Sequence, residues 1–306
     1  MSERSSGADR LVPLAAGLAA WCVKECTCAH GLPGHLKQCR AAATFSAFCE
    51  PRKGLDPEAF IAAKCCLLFF LVDDGSADQL NVFDHFLRTG ERSEGNEPTA
   101  CYVSLLVDLR SRGCDVRELD TALRAWSACM RTEQSLDLSS LILEEYACLR
   151  KETIFVSCLV RCWLSLLRVS IPDEHSADCT ALLDIAIRAV IIANDIGSLR
   201  VDETNHSAAD HLVDINSVLV QGRRLGSTER AVRRAVDEYN ALAADLRVAQ
   251  RDFAPHDADA AWKSTFLNIV SSVVDGNLEG TRHLTAERYP GGRDLLRELD
   301  SVREAR

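Results

Sequence analysis

Residues 62–78 read Ala-Ala-Lys-Cys-Cys-Leu-Leu-Phe-Phe-Leu-Val-Asp-Asp-Gly-Ser-Ala-Asp, and this stretch decides the fold. Apart from Lys64, residues 62–72 are apolar on every side, which is typical of a helix buried inside a bundle. Three carboxylates follow, those of Asp73, Asp74 and Asp78. A carboxylate at the C-terminal end of a helix opposes the helix dipole, and a bound divalent cation would remove that conflict. Taken alone, the segment is equally consistent with an acidic turn after a helix end.

A second stretch, residues 181–193, is apolar except for Asp184 and Arg188, and it also ends in polar side chains. Asn194, Ser198 and Asp202 follow at intervals of four residues, so on a helix they form one stripe about 12 Å long. An amide oxygen, a hydroxyl and a carboxylate are hard oxygen ligands, the kind that suit Mg²⁺. Taken alone, the stripe is also consistent with ordinary polar residues at the point where the helix leaves the hydrophobic core.

Helical periodicity dominates the rest of the chain, and glycine and proline lie mostly between the periodic segments. The sequence contains no strand-rich block, no glycine-rich phosphate loop, no internal repeat and no linker-like change in composition. We therefore predict a single all-α domain over residues 1–306. The predicted helices span 14–29, 36–49, 57–72, 77–89, 99–112, 116–134, 138–169, 176–203, 209–222, 227–253 and 258–286.

The composition is that of a globular protein, with 306 residues, 47% hydrophobic and 26% charged. A formal net charge of −10 argues against a general attraction to nucleic acid or to anionic membranes, so we expect neither partner. No stretch predicts a transmembrane helix, and residues 11–23 are interpreted as a helix of the mature protein. We expect a cytoplasmic protein whose fourteen cysteines are mostly buried thiols.

The two polar helix ends together resemble the metal-binding motifs of bacterial class I terpene synthases, which carry an Asp-rich motif and an Asn-Asp-x-x-Ser-x-x-x-Glu/Asp triad on facing helices. Asp73 precedes Asn194 by 121 residues here. Arg150 lies 44 residues before Asn194, in a segment that looks like the one bearing the diphosphate-sensing arginine of the family. The likeness covers about residues 40–290 and is greatest to compact labdane-related, kaurene-synthase-type enzymes. Further similar segments are Gly276-Asn277-Leu278, Arg288-Tyr289 and the stretch from Asp214 to Leu219.

The chain departs from the family pattern within these motifs. The Asp-rich motif reads D-D-x-x-x-D rather than D-D-x-x-D, which leaves the role of Asp78 open. Asp202 stands where glutamate is usual, and Val201 stands where a basic residue is common. Arg200 is therefore the candidate to replace that diphosphate contact. Gly280 lies in the region where many bacterial sesquiterpene cyclases place a tryptophan.

The resemblance implies a Mg²⁺-dependent lyase that ionises a prenyl diphosphate, built as a helical bundle around a central apolar cavity. Metal ions and arginines would stabilise the negative charge on the departing diphosphate. Three Mg²⁺ ions are expected, held by Asp73, Asp74 and Asp78 on one side and by Asn194, Ser198 and Asp202 on the other. The residues expected to bind diphosphate are Arg150, Arg200, Arg288 and Tyr289, and of these Arg150, Arg288 and Tyr289 are expected to be catalytic.

A carbocation released in this way survives only in a dry, apolar cavity. Glycine at position 280 predicts a larger cavity than tryptophan would leave, and an Asp-rich motif this early is like that of compact diterpene synthases. Both features favour a C20 substrate, geranylgeranyl or copalyl-type diphosphate, converted to a cyclic hydrocarbon or alcohol. The residues expected to line the cavity are Phe69, Phe70, Phe155, Ile187, Val190, Ile191 and Gly280.

Other functions compete with this interpretation. A sesquiterpene cyclase would act on farnesyl diphosphate at the same site. A chain-elongating prenyltransferase would need a second Asp-rich motif where the Asn194 stripe stands. A non-enzymatic helical interaction protein is the alternative of another class, and it predicts no magnesium dependence. By analogy with relatives, a homodimer is one expected assembly.

Overall fold

The computed structural model describes residues 7–25, 32–136, 142–207, 216–253 and 261–302. Within these ranges no residue lies in a β-strand, which confirms the predicted all-α class. Short 3-10 helices lie at Asp173–His175, Leu284–Ala286 and Leu295–Glu298. The α-helices are α1 (Gly7–Glu25), α2 (Leu32–Phe48), α3 (Asp56–Asp73), α4 (Ala77–Thr89), α5 (Glu97–Ser111), α6 (Arg117–Gln134), α7 (Leu143–Thr153), α8 (Val156–Leu166), α9 (Ser176–Ser207), α10 (Ser217–Leu225), α11 (Thr228–Phe253) and α12 (Ala261–His283).

The helix that carries the Asp-rich segment, α3, has well-defined ends. Pro57 lies in its first turn, where a missing N–H is tolerated. The Asp74 N–H donates to the Phe70 carbonyl at 3.1 Å and closes the C-terminal end. Ser76 and Gln79 then form a reciprocal capping box that starts α4. Because only residues 74–76 separate the two helices, the first two carboxylates are held at a tight turn.

The first apolar stretch lies inside the bundle, as predicted, whereas the second is continuously buried only from Ala189, because Ala181 and Arg188 are exposed. Residues 61–68 of α3 are buried, and the helix packs against α2, α5 and α8. The one charge in this stretch, Lys64, forms an ion pair with Asp108 and lies over the Trp21 ring. Helix α9 packs against α7, α8, α10, α11 and α12, and residues 189–199 are buried apart from the half-buried Asn194. All-round hydrophobicity therefore identified the two central helices.

The stretch predicted as one helix over 138–169 instead contains two, α7 and α8, because the chain breaks at Ile154 and Phe155. Phe155 has a left-handed backbone with φ of 67°, which is uncommon for a residue other than glycine. Its ring packs against Phe69 and Trp126 at centroid distances of 5.4 and 4.8 Å. This tertiary packing holds a conformation that costs of the order of 1–3 kcal/mol. Neither glycine nor proline marks the break, so the sequence pattern did not reveal it.

The helix predicted over 209–222 is described only from Ser217, where α10 begins. Asn216 caps it, since its Oδ1 accepts the N–H groups of Val218 and Leu219 at 2.9 and 3.3 Å. Asp214 and Ile215, which belong to the stretch that resembles the family, lie outside the described residues.

The thiols behave as the composition predicts. Ten of the twelve described cysteines are buried. They fill space between helices as small apolar side chains. Among the described helices, none combines the length and the apolar character needed to cross a membrane.

Candidate active site

A cavity opens between α2, α3, α8, α9 and α12, at the ends that carry the two polar motifs. About 500 Å³ of space between its walls is free of protein atoms, a figure that includes the part of the mouth open to solvent. Its polar lining residues are Asn194, Asn277 and Tyr289. Its apolar wall includes Phe45, Phe69, Phe70, Ile154, Phe155 and Val273. The predicted lining residues Phe69, Phe70 and Phe155 thus share one cavity with Asn194 of the second motif.

Aromatic rings form a continuous wall on one side of this cavity. Phe70 stacks on Phe45 at 5.8 Å between centroids and meets the edge of Phe69 at 5.0 Å. Phe155 extends the series beyond Phe69, and Trp126 supports Phe155 from behind. Rings in contact of this kind restrict one another, and their faces carry partial negative charge. The wall therefore excludes water and can stabilise a cation inside the cavity.

Three residues expected on the cavity wall lie elsewhere. Ile187, Val190 and Ile191 are buried in the bundle and are not among the described residues that line the cavity. Ile187 instead borders a separate depression between α6, α8 and α9. The reason is the length of α9: Ile187 precedes Asn194 by seven residues, about 10 Å along the helix axis. The helix extends beyond the cavity, so sharing a face with Asn194 did not place Ile187 at the site.

Gly280 does not enlarge the cavity either. It is buried in α12, and a Cβ at this position would lie 2.9 Å from Cδ1 of Phe45. The Phe45 ring therefore fills the space next to Gly280 and itself forms part of the cavity wall. The expectation of extra room from a missing tryptophan is not supported, because another aromatic ring occupies the neighbouring space.

Arg288 joins the two carboxylates at the end of α3. Its Nη2 donates to Asp73 Oδ2 at 3.0 Å and to Asp74 Oδ1 at 2.8 Å, and its Nη1 donates to Asp74 Oδ2 at 2.8 Å. The guanidinium also lies 4.6 Å from the centroid of the Phe70 ring. Burial lowers the pKa of Arg288, but Tyr289 and the two carboxylates raise it well above its ordinary value on balance. Arg288 is therefore a permanent cation beside the Asp-rich turn.

Asp78 lies apart from this cluster. It is exposed in the first turn of α4, where a carboxylate favours the helix dipole. No contact among the described residues joins it to Asp73, Asp74 or Arg288. The longer spacing of the motif explains this, because the Ser76 cap starts a new helix before Asp78 is reached.

Close backbone packing on α9 holds the segment after Arg288 and Tyr289. The N–H of Gly292 donates to the Tyr289 carbonyl at 3.0 Å. A Cβ on Gly292 would lie 2.2 Å from the carbonyl oxygen of Gly197, in the middle of α9. Only glycine fits so close to the helix backbone. This contact brings the C-terminal segment, and with it Arg288, to the cavity mouth.

Replacing Gly292 with alanine is therefore expected to destabilise the protein by about 1–3 kcal/mol, because the added methyl group clashes with backbone atoms that cannot turn away. Gly17→Ala is the matched control, since Gly17 is exposed within α1 and an added Cβ meets only the Phe60 ring at 3.4 Å. That variant should be stabilised by about 0.5–1 kcal/mol. Urea unfolding of both variants measures the difference; equal stabilities would contradict the close approach.

Arg150 is the second arginine near the cavity. It lies on α7, partly buried, and its Nε is buried with no hydrogen-bond partner among the described residues. Burial lowers its pKa, but Tyr146, Glu133, Asp195 and Asp73 raise it above the ordinary value on balance. Arg150 therefore lies within the electrostatic influence of Asp195 on α9 and of Asp73 on α3. An arginine with an uncommitted buried donor is suited to bind an anionic ligand.

Asp195, next to Asn194, has a structural role. Its Oδ2 accepts the hydroxyl of Tyr146 and the N–H of Ser217, the latter at 2.9 Å. Burial raises the pKa of the carboxyl, while Arg150 and the hydrogen bonds from Ser217 and Tyr146 oppose the rise. The side chain ties α7 and the start of α10 to α9.

The predicted stripe on α9 is formed as expected. Asn194 lines the cavity, and Ser198 Oγ donates to Asp202 Oδ2 at 2.6 Å one turn further along. Ser198 and Asp202 are buried, with exposed fractions of 8% and 2%. The stripe therefore runs from the cavity wall into a buried polar cluster.

Arg200 does not belong to the stripe. Its side chain is 57% exposed, and its Nη1 donates to Glu203 at 2.9 Å. Position 200 is two residues beyond Ser198, which turns it by about 200° around the helix. The expected diphosphate contact from Arg200 is thus not supported, because the residue lies on the opposite face of α9.

The set of donor atoms suits a divalent metal ion. The end of α3 offers carboxylate oxygens, and the stripe on α9 offers amide, hydroxyl and carboxylate oxygens, all hard ligands for Mg²⁺. In the described part of the chain, no group of three or more His, Cys, Asp or Glu side chains is arranged to hold a metal by itself. A metal ion here would need the amide and hydroxyl ligands together with substrate oxygens, a mode that Mg²⁺ commonly uses.

Sequence analysis assigned no role to Tyr146, Asn216 or Asn277, although Asn216 and Asn277 lie in segments that resemble the family. Asn277 lines the cavity, while Tyr146 and Asn216 hold Asp195 and Asp202. One signal was available: Tyr146 precedes Arg150 by four residues and so shares its helix face. Nothing in the sequence indicated the Asn216 contact, because that residue meets α9 only through tertiary folding.

Comparison with solved structures shows the fold. A linalool/nerolidol synthase from Streptomyces clavuligerus, solved with 2-fluorogeranyl diphosphate, is 15% identical, with a TM-score of 0.73 over 89% of this chain and 98% of that chain. A 2-methylisoborneol synthase from Streptomyces coelicolor A3(2), solved with Mg²⁺ and 2-fluoroneryl diphosphate, is 16% identical, with a TM-score of 0.73 over 92% and 93%. A tryptophan-to-tyrosine mutant of the SVS_A2 protein from ancestral sequence reconstruction is 18% identical, with a TM-score of 0.74 over 94% and 93%.

Comparison of the sequence with curated proteins finds no match. The family model described as terpene synthase family 2, C-terminal metal binding, matches residues 64–245, which is more than half of the chain. The matched region includes the end of α3, Arg150 and the stripe on α9. The chain therefore belongs to terpene synthase family 2, whose members are lyases that act on prenyl diphosphates.

Proposed function

We propose that this protein is a Mg²⁺-dependent class I terpene synthase that removes diphosphate from an allylic prenyl diphosphate and directs the carbocation to a cyclic hydrocarbon or alcohol. The observation that carries the proposal is that Asn194 and Tyr289 line the same apolar cavity as Phe69 and Phe70, one turn before Asp73. Anion-binding and metal-binding groups thus meet at the mouth of a hydrophobic pocket.

The polar groups at the mouth have distinct roles in this proposal. Asp73 and Asp74 on α3, and Asn194, Ser198 and Asp202 on α9, would hold the metal ions, three being the number that the family resemblance implies. Bound metal ions supply Lewis acidity that stabilises charge on the leaving diphosphate. Asp78 is the weakest member of the expected ligand set, since it is exposed on α4.

The two arginines and Tyr289 orient the diphosphate. Arg150 presents a buried Nε that no described residue binds, so it can donate to a diphosphate oxygen without breaking an existing hydrogen bond. Arg288 has a planar fork of donors that suits bidentate contact with phosphate. Burial raises the pKa of the Tyr289 phenol, which keeps its hydroxyl protonated and able to donate. Together they fix the allylic carbon over the cavity.

The cavity wall then controls the carbocation. Water must be excluded until the final step, and the contacting Phe45, Phe69, Phe70 and Phe155 rings leave no polar atoms on that side. Their faces stabilise passing positive charge by about 0.5–2 kcal/mol per contact. The shape of this wall selects which carbons approach each other.

For chain length, we propose a C20 substrate, geranylgeranyl or copalyl-type diphosphate, as the first candidate, supported by the resemblance to compact diterpene synthases. Farnesyl diphosphate is the second candidate, and one observation favours it. The Phe45 ring lies against Gly280, so the missing tryptophan leaves no additional space. A shorter chain needs less room than a C20 chain.

The test is to incubate the purified protein with Mg²⁺ and, separately, geranyl, farnesyl, geranylgeranyl and copalyl diphosphates, and to identify products by mass spectrometry. We expect a cyclic hydrocarbon or alcohol from one of the C20 substrates, no product after EDTA treatment, and recovery on adding Mg²⁺. Turnover of farnesyl diphosphate alone would overturn the C20 assignment but not the reaction. Absence of diphosphate release from all four would favour a non-enzymatic helical protein.

A further inference from the structure

Asn216 connects three parts of the polar stripe on α9. Its Nδ2 donates to the Asp195 carbonyl oxygen and to Asp202 Oδ2, both at 2.7 Å, and lies 3.3 Å from Ser198 Oγ. The residue is 2% exposed. A primary amide has two N–H hydrogens, and here one is used on the helix backbone and the other on the carboxylate.

The other end of the same amide is fixed as well. Asn216 Oδ1 accepts the N–H groups of Val218 and Leu219, so the side chain is the N-cap of α10. Flipping the amide would place NH₂ against two N–H donors and the carbonyl oxygen against a carboxylate, so only one orientation satisfies all partners. Hydrogen bonds to α9 and to α10 thereby fix the orientation of the Asn216 side chain.

This geometry determines where Asp202 points. Its Oδ2 accepts hydrogen bonds from both Asn216 and Ser198. Two donors on one oxygen fix the rotation of the carboxylate and hold its charge in a buried position that would otherwise be costly.

We infer that Asn216 is a positioning residue that orients Asp202 and Ser198 for metal binding. The inference rests on the proposed function, because it assumes that the α9 stripe binds the metal ions. Partners of this kind, which hold a ligand without touching the metal, commonly change metal affinity 10- to 100-fold when they are replaced.

The variant Asn216→Ser tests this role. Serine is a good N-cap and retains the start of α10, but its side chain is too short to reach Asp202. The matched control is Asn96→Ser, because Asn96 is also a buried N-cap, accepts the Thr99 N–H at 2.9 Å, and donates to the Gln79 carbonyl oxygen. The two variants make the same chemical change, one next to the stripe and one away from it.

The readout is Mn²⁺ affinity, measured by electron paramagnetic resonance with inorganic diphosphate present and a protein-free diphosphate blank. We expect Asn216→Ser to weaken Mn²⁺ binding by about tenfold or more and Asn96→Ser to change it less than about twofold. Raising the Mg²⁺ concentration should partly restore turnover of Asn216→Ser. Wild-type Mn²⁺ affinity in folded Asn216→Ser would overturn the inference.

If Asn216→Ser loses its near-ultraviolet circular dichroism, Asn216→Asp replaces it. That variant keeps the volume and the capping oxygen but loses both donors, and Mn²⁺ binding as tight as wild type would again overturn the inference. A wild-type protein that binds no Mn²⁺ with diphosphate present would instead contradict the proposed function. The two failures are therefore distinguishable.

Discussion

Replacing Arg150 with methionine is expected to lower the rate of diphosphate release roughly 100- to 1,000-fold, the usual effect of removing a preorganised donor from a developing anion. The Arg150 Nε is buried and has no hydrogen-bond partner among the described residues, so binding a phosphate oxygen costs it no existing contact. Methionine keeps the length and apolar stem of the side chain and removes the donors. Single-turnover release of diphosphate from a radiolabelled prenyl diphosphate measures the effect.

Two further variants show whether the loss of activity in Arg150→Met comes from the missing donors. Arg150→Lys keeps the charge that faces Asp195 but lacks the planar fork, so we expect intermediate activity. Arg161→Met removes a half-buried arginine from α8, away from the cavity lining, and should leave the rate within about twofold. Near-ultraviolet circular dichroism checks that each variant is folded. If Arg150→Met retained wild-type activity, the diphosphate would have to bind without this arginine.

Replacing Asp73 with asparagine should have a comparable effect. The substitution is isosteric, and its carbonyl oxygen can still accept from Arg288, but it removes one charge from the expected metal ligands. Metal ions supply several kcal/mol of transition-state stabilisation, and each 1.36 kcal/mol is a factor of ten. We therefore expect activity at low Mg²⁺ to fall by two or more powers of ten.

The dependence of the rate on Mg²⁺ concentration separates a metal-ligand role from a structural one. In Asp73→Asn the Mg²⁺ concentration for half-maximal activity should rise. Asp245→Asn, a change at an exposed carboxylate on α11, should not alter it. An unchanged Mg²⁺ requirement in Asp73→Asn would show that this carboxylate binds no metal.

Patterns along single helices predicted most of the fold and part of the site. The all-round apolar stretches before Asp73 and Asn194 identified the two buried helices because burial on every face leaves no polar stripe. The intervals of four residues from Asn194 to Asp202 placed three oxygen ligands on one face because helix geometry requires it. Both inferences needed only local information.

Features that depend on contacts between helices were not predictable. The break between α7 and α8 at Phe155 is stabilised by packing of its ring against Trp126 and Phe69. No glycine or proline at this position indicates the break in the sequence. Gly280 suggested a larger cavity, yet a ring from α2 fills the space beside it. Asn216 contacts Asp202 from the N-terminus of α10, which packs against α9, and its position in the sequence does not indicate that contact. Each of these three features depends on which helix surfaces pack against each other. The periodicity of the sequence does not specify that packing.

The most direct test of the central claim is a crystal structure of the protein with Mn²⁺ and inorganic diphosphate, with the metal located by anomalous scattering. We predict metal ions bound to the Asp73 carboxylate on one side and to Asn194, Ser198 and Asp202 on the other, with diphosphate between them and in contact with Arg150 and Arg288. Metal bound at only one of the two helix ends, or diphosphate bound away from the cavity lined by Phe69 and Phe70, would contradict that claim.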